Sequence, residues 1–308
     1  MHKTVLLRET VENLNLKPGM IVVDATLGAG GHSNLILEKI GEKGILIGLD
    51  LDQKAIDDFK KEIKDQKIKT KIFLFKENFI NIPKILEELK IEKVDGIIAD
   101  LGWRLDQVKN KEYGMSFQVD APLDMRLGRE GKLNAKIIVN LWDEQKLIEI
   151  FFKYGEERNS RKIARAIVEY RKNKKIETTK ELEEIVVESV PFRKSRFNPA
   201  TKVFQALRIA VNKELENLEK FLENSIEVLN SGGCLAVISF HSLEDRIVKR
   251  FFRANTGGCI CPKELPICVC NQERKLKIIN SKPITASKEE LKENVRSRSA
   301  KLRIAEKC

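Results

Sequence analysis

The chain has 308 residues, 42% of them hydrophobic, enough to build one large folded domain or two ordinary ones, which excludes disorder throughout. Lysine and arginine number 57 against 46 acidic residues, a formal charge of +11, and the excess gathers in 158–171, in 193–208 and beyond Arg246. A basic second half beside a more balanced first half points to a polyanionic partner, nucleic acid ahead of membrane. A general lysine bias accounts for the lysines better than for the arginines. No apolar run approaches the roughly 18 residues needed to cross a bilayer. The charged start, MHKTVLLRETVENL, has no signal-peptide core, so a cytoplasmic location is expected.

In chain order, residues 4–16 carry Val5, Leu6, Val11 and Leu14 on one side and read as a short amphipathic helix. Ile21, Val22 and Val23 form an apolar, β-branched run closed by Asp24. Gly28, Gly30 and Gly31 follow, and residues 33–40 have helical spacing. Strand, glycine turn and helix in that order suit a ligand, because glycine allows a tight turn and a close approach and the helix amides then point outward. The same glycines also make a turn with no ligand. Residues 44–50 (GILIGLD) are a second buried-type strand ending in an acid, Asp50, at the distance where a carboxylate can hold both ribose hydroxyls. An adenosine-bearing cofactor follows, either a dinucleotide or S-adenosylmethionine. Ser33 stands where the third glycine of GxGxxG would fall, and the glycines alone do not choose between the two.

Residues 53–64 are helical, 71–75 a third strand with a turn at Asn78-Phe79, 82–90 helical, and 94–100 a fourth strand closing on Asp100. Strands alternating with helices predict a parallel, doubly wound α/β sheet whose ligands sit at the carboxyl ends of the strands, where Asp24, Asp50, Phe79 and Asp100 fall. From 105 to 197 the pattern turns helical, over 135–141, 144–152, 158–170 and 179–190. Arg158, Arg161 and Arg165 recur on one face there, either as phosphate contacts or as solvated surface. Residues 201–229 predict one long, bent helix ended by Gly232-Gly233, after which 234–240 give a fifth strand and 276–279 and 302–305 the last strands. The expected division is 1–104 and 201–308 for the α/β domain, with 105–200 inserted as a helical domain.

Asp100, leaving the fourth strand, is placed to bind a reacting amine, to orient it or to take its proton. His241 reaches the same crevice or else holds the helix start that Ser242, Glu244 and Asp245 also suit. His32 has a possible role capping its own helix. Cys259, Cys261, Cys268 and Cys270 offer four thiolates to one zinc, although a single residue within each pair is tighter spacing than usual, and free thiols are the alternative.

Several longer runs carry a resemblance: Asp24-Ala-Thr-Leu-Gly-Ala-Gly-Gly-His32, Pro122-Leu-Asp-Met-Arg126, Tyr154-Gly-Glu-Glu-Arg158, Asn198-Pro-Ala-Thr201, Phe204-Gln-Ala-Leu-Arg-Ile209, Ile238-Ser-Phe-His-Ser-Leu-Glu-Asp-Arg246 and Arg296-Ser-Arg-Ser-Ala-Lys-Leu-Arg303. In this order, over essentially the whole chain, they resemble the ribosomal RNA small subunit methyltransferase H family. The resemblance implies a class I, Rossmann-like S-adenosylmethionine-dependent methyltransferase with an inserted helical domain for substrate recognition. It implies methylation of the N4 amine of a cytidine in the decoding region of 16S rRNA, within the small ribosomal subunit. It also implies cofactor contacts at Gly30, Gly31, His32, Asp50, Phe79, Asp100 and Gln107, and Asp100 as the catalytic group. The chain departs from the family where Asp-Leu-Gly-Val-Ser-Ser-Pro-Gln becomes Asp100-Leu-Gly-Trp103-Arg104-Leu105-Asp106-Gln107, and where Asn198 replaces a histidine. Two other readings stand beside this one: a noncatalytic rRNA-binding assembly factor on the same scaffold, and a nicotinamide-dependent oxidoreductase, which the missing third glycine disfavours.

Overall fold

The computed structural model describes residues 3–66, 68–102, 112–127, 131–190, 198–257 and 273–308, and the chain divides into two compact units, 1–102 with 215–308, and 103–214. The strands, all in the first unit, are β1 (Ile21–Asp24), β2 (Ile45–Asp50), β3 (Lys71–Lys76), β4 (Val94–Asp100), β5 (Leu229–Ser239), β6 (Leu276–Ile278) and β7 (Lys301–Lys307). The helices are α1 (Leu7–Glu12), α2 (Gly31–Ile40), α3 (Gln53–Asp65), α4 (Ile82–Glu88), α5 (Ala135–Leu141), α6 (Glu144–Lys153), α7 (Ser160–Tyr170), α8 (Thr179–Ser189), α9 (Ala200–Asn212), α10 (Glu214–Val228), α11 (Ser242–Ala254) and α12 (Lys288–Glu293).

The described strands form one seven-stranded sheet in the order β3-β2-β1-β4-β5-β7-β6. β1 to β5 run parallel, and β7 lies antiparallel between β5 and β6. Succession reverses at β1, so the carboxyl ends of β1 and β4 flank the switch point where such sheets take their ligands. The pleat sends alternate side chains to opposite faces. Val22, Leu46, Ile98, Ala236 and Ile304 meet Ile36 and Ile40 of α2 and Ile56 and Phe59 of α3. Val23, Ile47, Ile97, Leu235 and Ala305 meet Ile85 of α4, Phe221 of α10 and Phe252 of α11. With both faces covered, the parallel strands read as unbroken apolar runs, which is why the sequence exposes them.

The second unit packs α5 to α9 around Ile138, Phe151, Ile163, Ile167, Leu182 and Val186. Its Pro122–Arg126 run is structural: Arg126 grips Asp124 in a two-pronged bond, Nε to Oδ1 and Nη2 to Oδ2, each at 2.7 Å. Asn198, in place of the family histidine, accepts the Ala200 amide at 2.9 Å and donates to Glu183 at 2.6 Å.

Two expectations are corrected. The single helix over 201–229 is two, because Lys213 adopts a left-handed backbone (φ 51°) that separates α9 from α10. Ala200, Val203, Phe204, Ala206 and Leu207 of α9 pack in the core of the second unit, which runs to Glu214. The apolar residues on the two sides of Lys213 keep one helical spacing, and periodicity does not say which core each half enters. Gly232-Gly233, expected to stop a helix, lies within β5 beside a register irregularity against β4.

α11 is fastened to β7 by charge. Asp245 accepts Arg303 Nε at 2.6 Å and Lys301 Nζ at 3.0 Å, with Asp245 and Arg303 both buried. Burial works to raise the Asp245 pKa, but the bonds and charges of Arg303 and Lys301 outweigh it and hold the carboxylate below its ordinary range. Its contribution to stability is therefore full above about pH 4 and is lost as pH falls through the depressed value. Arg303→Met is expected to cost about 3 kcal/mol at neutral pH by leaving a buried charge underpaired, and to flatten the acid dependence of the urea midpoint.

Candidate active site

The carboxyl edge of the sheet holds Asp24, Asp50 and Asp100 as the last residues of β1, β2 and β4, with Phe79 opening the short turn after β3. Asp24 is buried. Ser33 Oγ donates to its Oδ2 at 2.6 Å and the Thr26 amide to its Oδ1 at 3.1 Å. Thr26 Oγ1 accepts the Asp100 amide at 2.6 Å, so one turn residue ties two strand ends together. The Asp100 carboxylate accepts the Gly102 amide, yet its Oδ1 is enclosed and has no hydrogen-bond partner among the described residues. Gly102 is required where it stands, because a Cβ there would come 2.6 Å from the Phe240 ring.

Burial, the largest cause, pushes Asp24 up to about 6, against the lowering by Ser33 and the Thr26 amide, and the charge of Asp50 adds to the rise. Burial likewise pushes Asp100 up to about 7, helped by the charges of Asp24 and Glu244 and opposed by Arg296 and the Gly102 amide. A carboxyl group poised near neutrality changes its proton readily at working pH.

Asp50 accepts two amides, Gly28 to Oδ2 at 2.9 Å and Asp52 to Oδ1 at 2.8 Å. At Gly28 (φ 55°) the turn is open: a Cβ there would meet only the Thr26 carbonyl, at 3.7 Å. Gly30 and Gly31 are glycine for another reason. A Cβ on Gly30 would enter the Phe59 ring, and one on Gly31 would strike the Thr4 side chain. Contact with the chain itself explains those two, while the first amides of α2 have no intrahelical acceptor by helix geometry.

His32 is buried and does not cap α2. Its Nε2 donates to the Val5 carbonyl at 3.1 Å, and burial lowers its pKa to about 4. The short N-terminal strap it holds is gripped from the far end of the sequence as well: Glu290 accepts the Leu6 amide at 3.0 Å, Lys3 pairs with Glu293 at 2.6 Å, and Asn294 Nδ2 donates to the Lys3 carbonyl at 3.0 Å. Phe79 is half-buried and stands edge-on to Phe221, with 5.0 Å between ring centroids. Of the two roles open to His241, the geometry gives the helix start: Nδ1 accepts the Glu244 amide at 3.4 Å, and Glu244 Oε2 accepts the Phe240 and His241 amides at 2.8 and 3.2 Å.

Gln107 lies outside the described residues, as do Trp103, Arg104, Leu105 and the four clustered cysteines Cys259, Cys261, Cys268 and Cys270. Sequence reasoning gave no role to Thr26, Ser33 or Arg296. Ser33 had a signal, a hydroxyl in the place of the third glycine and within reach of the strand-end acid. Arg296 had none nearby, since it comes to Asp100 from far along the chain.

A model of the MraW methylase family matches residues 1–308. The chain is 51% identical over 307 residues to ribosomal RNA small subunit methyltransferase H of Clostridium botulinum (strain Loch Maree / Type A3), covering 99% of this chain and 98% of the relative. The proteins of the same name from Caldicellulosiruptor saccharolyticus and Brevibacillus brevis are 48% and 46% identical, each covering 99% of this chain and at least 98% of the relative. Sheet order and family together define an S-adenosylmethionine-dependent methyltransferase of Rossmann-like fold. The chain belongs to the MraW methylase family.

The depressed pKa of His32 has a definite pH signature. The unfolded chain takes up a proton near the ordinary value of 6.5 and the folded chain only near 4, so the stabilisation by neutral His32 is complete above 6.5 and is lost as pH falls towards 4. His32→Gln is expected to remove a slope of about 1.4 kcal/mol per pH unit across that window, measured as the difference in urea stability from the parent protein.

Proposed function

We propose that the protein transfers a methyl group from S-adenosylmethionine to the N4 amine of a cytidine in the decoding region of 16S rRNA, acting on the small ribosomal subunit. The observation that carries this reading is the enclosed Oδ1 of Asp100, without a hydrogen-bond partner among the described residues, at the switch point of a chain from this family. The relatives are named for RNA of the small subunit, and the cytidine amine as target is what the family resemblance implies.

The residues present fit the cofactor. The open face of the turn at Gly28 with the amides of Gly31 and His32 suits the methionine portion, Asp50 the ribose hydroxyls, and the ring of Phe79 the adenine; Gly30, whose amide donates to the Leu27 carbonyl at 2.8 Å, shapes the turn. Gln107 belongs to this set by the family motif alone. When bound, S-adenosylmethionine supplies a methyl group on a positively charged sulfur. The N4 lone pair of cytosine is delocalised into its ring and is a weak nucleophile, so the protein's share is alignment and exclusion of water. Asp100 Oδ1 accepts an N4 proton and offsets the positive charge growing on nitrogen. The target base must be unstacked to enter the crevice.

Basic surface supports an RNA substrate. Arg158, Arg161 and Arg165 are exposed at and along α7, where the charge of Arg165 also acts on Glu169; Arg250 and Arg253 on α11 are likewise exposed.

Transfer of labelled methyl to small subunits lacking the modification is expected to place label on N4-methylcytidine, with a rate that rises through about pH 7 as Asp100 ionises. Asp100→Asn should lower that rate by at least about 10²-fold with cofactor affinity retained. No transfer by the parent protein, with both cofactor and subunit bound, is the outcome that favours an assembly factor. Neutralising Arg158, Arg161 and Arg165 together should reduce the dependence of log affinity on log salt by about 2 to 3; an unchanged slope would make them solvated surface.

A further inference from the structure

We propose that Asp24 is a positioning residue for methyl transfer, which through Thr26 and its own buried charge sets the orientation and proton affinity of Asp100. The inference rests on the methyltransferase reading above and adds to it a residue with no place among the cofactor contacts.

Three observations converge. Asp24 and Asp100 end adjacent parallel strands, with Asp24 in register with Ile98, two residues before Asp100, so the sheet fixes their backbones relative to each other. Thr26 bonds to both residues, its amide to the Asp24 carboxylate at 3.1 Å and its hydroxyl oxygen to the Asp100 amide at 2.6 Å, so a shift in either strand end reaches the other. Finally, the hydrogen-bonding of the two carboxyl groups is unequal. Asp24 has a donor on each oxygen, including the 2.6 Å bond from Ser33, whereas Asp100 has an enclosed oxygen with none among the described residues.

That inequality divides the labour. Donors stabilise the charged form, so Asp24 is the member that keeps its charge more easily, and Asp100 is the member on which a proton is cheaper to place. The charge of Asp24 raises the proton affinity of Asp100. In the transfer step the cytidine nitrogen gains the methyl carbon, the carbon–sulfur electron pair stays with sulfur, and the proton released from nitrogen goes to Asp100 Oδ1. A neighbouring negative charge strengthens that acceptor in a site where water does not compete. The other charged groups facing the pair are Asp50 beside Asp24, and Arg296 and Glu244 beside Asp100. Arg296 opposes the effect and Glu244 adds to it, so Asp24 is not alone. It is the charge joined to Asp100 by a hydrogen-bonded bridge.

The test reads Asp100 directly and does not depend on turnover. Protein labelled with ¹³C at the aspartate carboxyls is titrated by NMR, with the Asp100 signal assigned by its loss in Asp100→Asn. Asp24→Asn is expected to lower the Asp100 midpoint by about one pH unit. Ser33→Ala, which removes a donor but keeps the Asp24 carboxyl group, should lower it by less, because Asp24 loses its charge only part of the time. The acid limb of the methyl-transfer profile should move to lower pH in the same order, with a several-fold lower plateau for Asp24→Asn. An Asp100 midpoint unchanged in both variants overturns the proposal. If the parent protein transfers no methyl group while the midpoints still move, the coupling stands and the substrate reading fails.

Discussion

Asp24 and Asp100 end neighbouring parallel strands, and the register of β1 on β4 leaves them no freedom to separate. Everything around them answers the cost of holding two acids out of water. Ser33 and Thr26 spend their donors on Asp24, Gly102 lends an amide to Asp100, and Arg296 comes from the far end of the sequence to sit near it. One carboxylate oxygen of Asp100 has no donor among the described residues, and it lies at the point where a sheet of this topology receives its ligand. A site of this kind gives up stability for chemistry, because the same burial that raises the proton affinity of Asp100 destabilises its charged form.

The other features of the carboxyl edge are rigid for reasons of packing. Phe59 occupies the space beside Gly30, Thr4 the space beside Gly31, and Phe221 supports the ring of Phe79. The glycine turn is thus set by its own chain before any ligand arrives, and only at Gly28 does it leave an open side. Preorganisation of this sort lowers the ordering cost of binding.

Much of this was readable in advance. Apolar runs ending in Asp24, Asp50 and Asp100 announce buried parallel strands, since a strand covered on both faces has no polar alternation to blur it. The helices over 135–141, 144–153, 160–170 and 179–189 were visible in their spacing, to within a residue or two at their ends. What periodicity could not show was contact. The break at Lys213 depends on two halves of one apolar pattern entering different cores. The tie from His32 to Val5, the cap made by His241 and the approach of Arg296 to Asp100 are all matters of which side chain meets which. The glycines illustrate the same limit: a GxGG run says that no Cβ fits, and only the structure says that at Gly30 and Gly31 the obstruction is protein.

The placement of β7 has a consequence for biosynthesis. Because residues 301–307 follow β5 and β6 in the chain yet lie between them, the sheet of the first unit is completed by an inserted strand only after both of its neighbours have been made. While that segment is still inside the ribosome, β5 presents a bare hydrogen-bonding edge, β6 has no strand to pair with, and Asp245 is without its two cations. The nascent chain therefore passes through an interval in which an apolar strand edge is open to wrong partners, and a chaperone that shields β5 until β7 arrives would protect the step on which the unit's completion depends.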